Sequence, residues 1–341
     1  MPNSGARRAD ASTSCLARGR CADRGLPDAR RLGSVTAVMS KHLEGKVAIV
    51  TGGAGGMGSQ ICRTFAAQGA KVVVADTGAD VEGRMGADPS RVNAVVDAIT
   101  QAGGEGVSSV GDVATMDYAE SLIRLALDTF GKFDILVCAH GILRERMIFN
   151  MTADEWDEVV RVHLKGCFAM TKFASIYWRS TRQGGRLIFF SSSAGIRGGA
   201  GQPNYSAAHA GKIGLMLSCA NALGRYGVTA NAISPGASTR MTDRGRAVNA
   251  SGPAPSLSAA GTAMDPYNVV PPIVYLASDA GGSVTGRVIG ATGNKITMWR
   301  EPQWEASIYY EDPAWDIDTL FEVMPSTLGA GQWPKTPPHF P

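Results

Sequence analysis

A single doubly wound α/β domain is the fold that this chain of 341 residues predicts, and three observations carry it. Seven short β-branched runs alternate with longer amphipathic stretches between residues 46 and 290, the pattern of a parallel sheet covered by helices on both faces. The first run leads directly into a glycine-rich turn that opens a helix. The alternation contains no internal repeat, and a span of about 250 residues suits one such domain with tails.

The strands are expected at 46–51 (KVAIVT), 71–76 (KVVVAD), 106–110, 134–138 (DILVC), 186–191 (RLIFFS), 228–233 (VTANAI) and 287–290. Each is short and continuously apolar, as a strand buried on both faces must be. Amphipathic segments near 57–68, 90–102, 116–130, 152–178, 203–226 and 266–279 supply the covering helices. The stretch 236–265 is rich in Gly, Ala, Ser and Pro without strong periodicity. A loop that long inside a compact domain is read as a substrate lid. Residues 39–298 thus form the domain. Residues 299–341, where Trp299, Trp304, Trp315 and Trp333 stand among prolines, form an aromatic extension packed on its surface.

Hydrophobic content of 44% and charged content of 18% describe a chain with a real core and exclude wholesale disorder. Residues 1–38 hold seven Arg against three Asp, a net of +4 in a chain whose total is +3, so the body is close to neutral. That argues against nucleic-acid binding. The leader has no apolar core of a secretory signal. Its Arg and Ser resemble a transit peptide, but its three Asp oppose that reading. It is expected to be a disordered extension or an overlong start, since Met39 sits just before the ordered pattern. No apolar run reaches the roughly 18 residues of a membrane span. Six cysteines without paired spacing disfavour zinc and a disulfide framework, which fits a soluble, cytoplasmic protein.

The first chemical feature is TGGAGGMG, Thr51 to Gly58. A glycine run between a strand and a helix suits a dinucleotide in a Rossmann-type fold: Gly52 for the tight turn, Gly56 for approach of the pyrophosphate, Gly58 for helix–strand packing. The amides of the helix start, including that of Met57, favour the phosphates. Asp76 ends the second strand, placed to accept from the adenosine ribose hydroxyls and to repel a 2′-phosphate, so NAD is preferred over NADP. Asp112 and Val113 follow the third strand and either line the adenine pocket or cap an ordinary helix.

These features, with SSAG (192–195), Tyr205 thirteen residues after Ser192, and NAISPG (231–236), resemble the short-chain dehydrogenase/reductase family over roughly residues 44–298. Within it, residues 141–166 are similar to the (3R)-hydroxyacyl-CoA dehydrogenase part of peroxisomal multifunctional enzymes and their actinobacterial relatives. The resemblance implies that Tyr205 exchanges a proton with the substrate oxygen while Ser192 donates to that oxygen. It also places Ala139, Gly141, Pro235 and Gly236, with Tyr205 and His209, around NAD. Its members commonly assemble as homodimers or homotetramers, with contacts through the long helices 152–178 and 203–226.

The departures from the family are sharper than the matches. The family's YxxxK is here Tyr205-Ser206-Ala207-Ala208-His209, its helix asparagine is His163, and its Asn-Asn-Ala-Gly turn is Cys138-Ala139-His140-Gly141. A fixed ammonium beside a phenol favours the phenolate, whereas imidazole is shorter and largely neutral near pH 7. Three outcomes stay open: His209 is held protonated, His163 and His209 form a relay, or Lys212 compensates from the same helical face. The plainer reading of Lys212 is an exposed or interface lysine a turn too far away. His140, His163 and His209 approach one cleft, but their spacing carries no metal pattern, so no metal is expected. Cys138 and Cys167 read as small buried apolar residues. The expected function is an NAD-dependent oxidoreductase for a hydrophobic secondary alcohol or ketone: a 3-hydroxyacyl thioester, a steroid or an aryl alcohol. The alternative, motivated by His209, is a non-redox protein on the same scaffold, such as a nucleotide-bound binding or regulatory subunit.

Overall fold

The computed structural model describes residues 41–244, 254–300, 306–311 and 314–328. The expected extension 1–38, Trp304, Trp333 and residues 245–253 of the expected lid lie outside them. Eight strands form one sheet: β1 (Val47–Thr51), β2 (Lys71–Asp76), β3 (Glu105–Val110), β4 (Ile135–Cys138), β5 (Gly185–Phe190), β6 (Val228–Gly236), β7 (Val288–Thr292) and β8 (Lys295–Met298). Their order is β3-β2-β1-β4-β5-β6-β7-β8, all neighbours parallel except β8 against β7. The seven parallel strands fall where the sequence places them. The antiparallel β8 is not among the expected strands, although KITM falls inside the expected domain: its largely exposed edge position leaves only a weak apolar signal.

The helices are α1 (Gly56–Ala67), α2 (Pro89–Gln101), α3 (Met116–Phe130), α4 (Ala153–Val160), α5 (Gly166–Thr181), α6 (Ser193–Arg197), α7 (Pro203–Leu223), α8 (Arg240–Asp243), α9 (Val270–Ala277) and α10 (Ile317–Val323). On one face α1, α2 and α9 cover the sheet through Ile61, Phe65, Val92, Ile99 and Ile273. On the other, α3, α5 and α7 do so through Leu122, Trp178 and Met216. Continuous burial of Val47–Thr51 and Ile135–Cys138 explains why those runs read as strands.

The stretch expected as one helix over 152–178 is α4 and α5 joined by a π-turn at Arg161–Lys165. Thr152 starts it with a capping box, accepting from Glu155 N while the Glu155 carboxylate reaches back to Thr152 N. Among its described residues the segment 236–265 contains α8 and a 3₁₀ turn at Pro255–Ser258. Strand order reverses between β2 and β4, the two neighbours of β1. A crevice must therefore open at the carboxyl ends of β1 and β4, where ligands bind in such sheets. Among the described residues no helix is long and apolar enough to cross a membrane.

Candidate active site

The crevice is a cleft of about 380 Å³ lined by Gly52, Gly56, Met57, Gly58, Asp76, Asp112, Val113, Ala139 and Gly141, all of them expected there. Gly52 sits at φ +72°, and a Cβ on it would press 2.6 Å from His140 N, against the turn after β4. A Cβ on Gly58 would run into the Gly52 carbonyl, so α1 can lie against the turn only without side chains. Gly55 caps α1 with no side-chain bond, and the first turn carries no acid. The amides there are left to face an anion. These features fit a dinucleotide pyrophosphate.

Asp76 does two jobs. Its carboxylate accepts from Ala54 N and Gly78 N, both at 2.9 Å, so it braces the glycine turn while lining the cleft. Asp112 is not a helix cap: Thr115 caps α3. Asp112 instead accepts from Ala114 N at 2.9 Å and from the Arg161 guanidinium at 2.6 Å, and Arg161 also pairs with Glu158. Pro235 and Gly236 close β6, paired with Ala291 and Thr292 of β7. They are not among the cleft-lining residues, where Thr239, Arg240 and Met241 stand instead.

Sequence reasoning missed the loop 77–88. It forms a strap beside Asp76, contributing Ala79, Asp80, Val81, Gly83, Met85 and Ala87 to the lining of the cleft. Leu143 N donates to Val81 O at 2.9 Å and Arg144 donates to Glu82 O at 3.1 Å. Arg244 pairs with the Glu82 carboxylate at 2.5 Å and donates to Leu143 O at 2.6 Å. A connector without apolar periodicity gives no warning of such a role.

The chemical end is built by α7, the Ser191–Ser192 turn and the π-turn. Asn204, fully buried, donates to Arg144 O and Glu155 O and accepts from Tyr205 N at 2.7 Å, which fixes the start of α7. Ser192 Oγ accepts from Ala194 N at 3.1 Å, so its own proton remains free to donate. Burial pushes the Tyr205 phenol up to about 12, with the Ser192 hydroxyl offsetting part of the rise and Glu145 adding to it.

Three rings meet here: Tyr205–His209 at 4.1 Å, His209–His163 at 4.6 Å and His163–Tyr205 at 5.1 Å between centroids. Burial, then the charge of Lys212, holds both imidazoles well below the ordinary histidine value. Both effects disfavour His209 as a protonated substitute. Both ring nitrogens of His209 are buried without a hydrogen-bond partner. Lys212 is fully buried, not exposed, and donates to His163 Nδ1 and Phe190 O, each at 3.1 Å. His140 is turned away from this cluster, with Nδ1 2.6 Å from Thr51 Oγ1 and Nε2 3.7 Å from Cys167 Sγ. Among the described residues no three His, Cys, Asp or Glu side chains converge on a metal position.

The model of the short chain dehydrogenase family matches residues 46–250. The chain is 39% identical over 290 residues to the hydroxyacyl-CoA dehydrogenase ChsB1 of Mycobacterium tuberculosis, covering 83% of this chain and 88% of that one. It is 35% identical over 266 residues to the peroxisomal hydratase-dehydrogenase-epimerase of Neurospora crassa, 78% of this chain but 28% of that longer protein. The crystal structure of a short chain dehydrogenase from Mycobacterium avium matches with a TM-score of 0.74 and 41% identity, covering 86% of this chain and 98% of that one.

Proposed function

The chain belongs to the short-chain dehydrogenase family, oxidoreductases acting on CH–OH groups, and on that premise we propose that it interconverts a hydrophobic secondary alcohol and its ketone with NAD. A 3-hydroxyacyl-CoA thioester is the substrate class, supported by the kinship with enzymes named for that chemistry. One constellation carries the reading: the Tyr205 phenol bonded to the Ser192 hydroxyl, in a chain whose cleft has a bare helix start and a carboxylate at the β2 terminus. Gly52, Met57 and Gly58 would hold the pyrophosphate, and Asp76 the adenosine ribose, where its charge disfavours a 2′-phosphate. A bound nicotinamide supplies the acceptor or donor of hydride.

The residues divide the remaining work. Ser192 donates to the substrate oxygen and stabilises the charge that grows on it. Tyr205 gives that oxygen a proton as the ketone is reduced, or takes one as the alcohol is oxidised. Its raised value makes it an acid in the chain alone, so oxidation needs positive charge nearby.

The test follows NADH absorbance over a panel of 3-hydroxyacyl thioesters, steroids and aryl alcohols, with Tyr205→Phe as control. The expected outcome is turnover that falls by about 10²–10⁴ in the variant, while calorimetric NAD binding is unchanged. A protein that binds NAD yet turns over nothing in either direction would favour the non-redox reading that His209 motivates.

A further inference from the structure

We propose that Lys212 is a positioning residue of this site: donating to His163 Nδ1, it fixes His163 in one tautomer and brings to the ring cluster the positive charge that the family motif carries at position 209. The inference rests on the dehydrogenase reading and adds a residue to it. On a helix of 3.6 residues per turn, positions 205, 209 and 212 fall within about 60° of one another, with 212 roughly 10 Å along the axis from 205. Helical side chains lean toward the N-terminus, and the four-carbon stem of Lys212 carries its nitrogen back to the level of His163. The π-turn does the rest. An extra residue in that turn swings His163 inward, against Gly141 and within 4.6 Å of the His209 ring.

The bond fixes chemistry as well as position. A nitrogen that accepts from Lys212 carries no proton, so His163 bears its proton on Nε2 and donates it to Ile142 O at 2.7 Å. Ile142 N, 3.1 Å from the same Nε2, is left out of that bond. Lys212 has no carboxylate partner among the described ion pairs; its amine bonds His163 Nδ1 and Phe190 O, and burial lowers its value while the Cys167 and Cys138 sulfurs oppose that lowering. The groups facing the cluster are His140, Cys138 and Cys167 behind it and Glu145 on the Tyr205 side. Of these only Glu145 is an ordinary anion, and it opposes ionisation of the phenol. The neutral His209, its two ring nitrogens unpartnered, stands between that charge and Tyr205. A ring there can donate to a phenolate, which the lysine favours and cannot touch directly.

The experiment uses the full chain and three variants: Lys212→Met, His209→Lys, and the double swap His209→Lys with Lys212→Leu. The first readout is nitrogen NMR of the imidazoles in the cofactor-free protein. Wild type is expected to show His163 protonated on Nε2 alone, without titration near 6.5. In Lys212→Met, His163 is expected to become a tautomer mixture and its midpoint to move toward the ordinary 6.5. The second readout is kinetic: kcat falls about 100-fold with KM little changed, and the limb of the pH profile reporting the phenol moves to higher pH.

His209→Lys alone buries two amines together and is expected to lose activity. The double swap restores the spacing of one amine and is expected to recover to within about tenfold of wild type, a strong non-additivity. A Lys212→Met protein with the wild-type tautomer, kcat and pH profile overturns the proposal. Should that variant fail to fold, a folded double swap that stays inactive overturns it instead. Wild type inactive on every substrate but with the expected tautomer and its loss in Lys212→Met sinks the dehydrogenase reading and leaves the tautomer assignment standing.

Discussion

His163 and His209 are the residues whose burial has the most direct thermodynamic consequence. Both are held below the ordinary histidine value by desolvation and by Lys212. In the unfolded chain they protonate below about pH 6.5, whereas the folded state resists the proton. The unfolded state then binds more protons, so stability falls as pH is lowered through that region, by at most about 1.4 kcal/mol per pH unit for each ring. Glu155, held at about 2 by Arg146 and Thr152, withdraws its contribution only below 4.5 and does not obscure this window. Urea unfolding between pH 7.5 and 5 should therefore show a rising loss of stability, and His209→Leu should remove about one proton's share of the slope. An unchanged slope in that variant would contradict neutral burial of His209. Tyr205, Ser192, His163 and His209 were legible through the resemblance to short-chain dehydrogenase motifs, the first two as matches and the two histidines as departures. The burial of Lys212 was not, because a lysine flanked by glycine and isoleucine on a helix gives no sign of the inward-turned ring it meets.

Among the elements, the strap 77–88 makes the most testable claim. Its ends are closed by Asp88 N donating to Thr77 O at 2.8 Å, and Arg91 holds Gly78 O and Ala79 O at 2.7 and 2.8 Å. Its middle is tied down chiefly through Glu82. The Glu82–Arg244 pair is partly exposed, so breaking it costs the fold little, about 1 kcal/mol or less. Its loss should instead free the strap beside Asp76. Glu82→Ala is expected to release NAD severalfold faster in stopped-flow fluorescence, with the unfolding midpoint nearly unmoved. Release at the wild-type rate would mean that the backbone bonds at Val81 and Glu82 O suffice. The contrast with the strands is physical. A strand buried on both faces announces itself by composition, as Val72–Ala75 does, whereas the strap is held by hydrogen bonds to residues far along the chain. The edge strand β8 was missed for a related reason, since one neighbour and a largely exposed position ask little of its sequence.

For the molecule as a whole, α7 poses a question that its own fold does not answer. Its 21 residues include no charged side chain except Lys212, which is buried. The positions it exposes are Ala207, Ala210, Gly214, Ser218, Asn221 and Ala222, all small or neutral. A solvated helix face ordinarily carries charge. Beside it α5 exposes Phe168 at 47% and Ile176 at 46%. Small residues let a second helix approach closely, and the two exposed apolar side chains add area that association would remove from water. A homodimer or homotetramer built through these helices is the expected assembly. Gly214→Arg tests it cleanly, because a Cβ at Gly214 meets nothing within 4 Å and an arginine suits a helix better than glycine by up to about 1 kcal/mol. The folded protomer should be unharmed or slightly steadier, while light scattering shows the mass falling by at least one step of assembly. If the wild-type chain is already a monomer, or if Gly214→Arg keeps the full oligomeric mass, this face faces water after all, and the absence of charge along α7 reflects only the packing of its inner side.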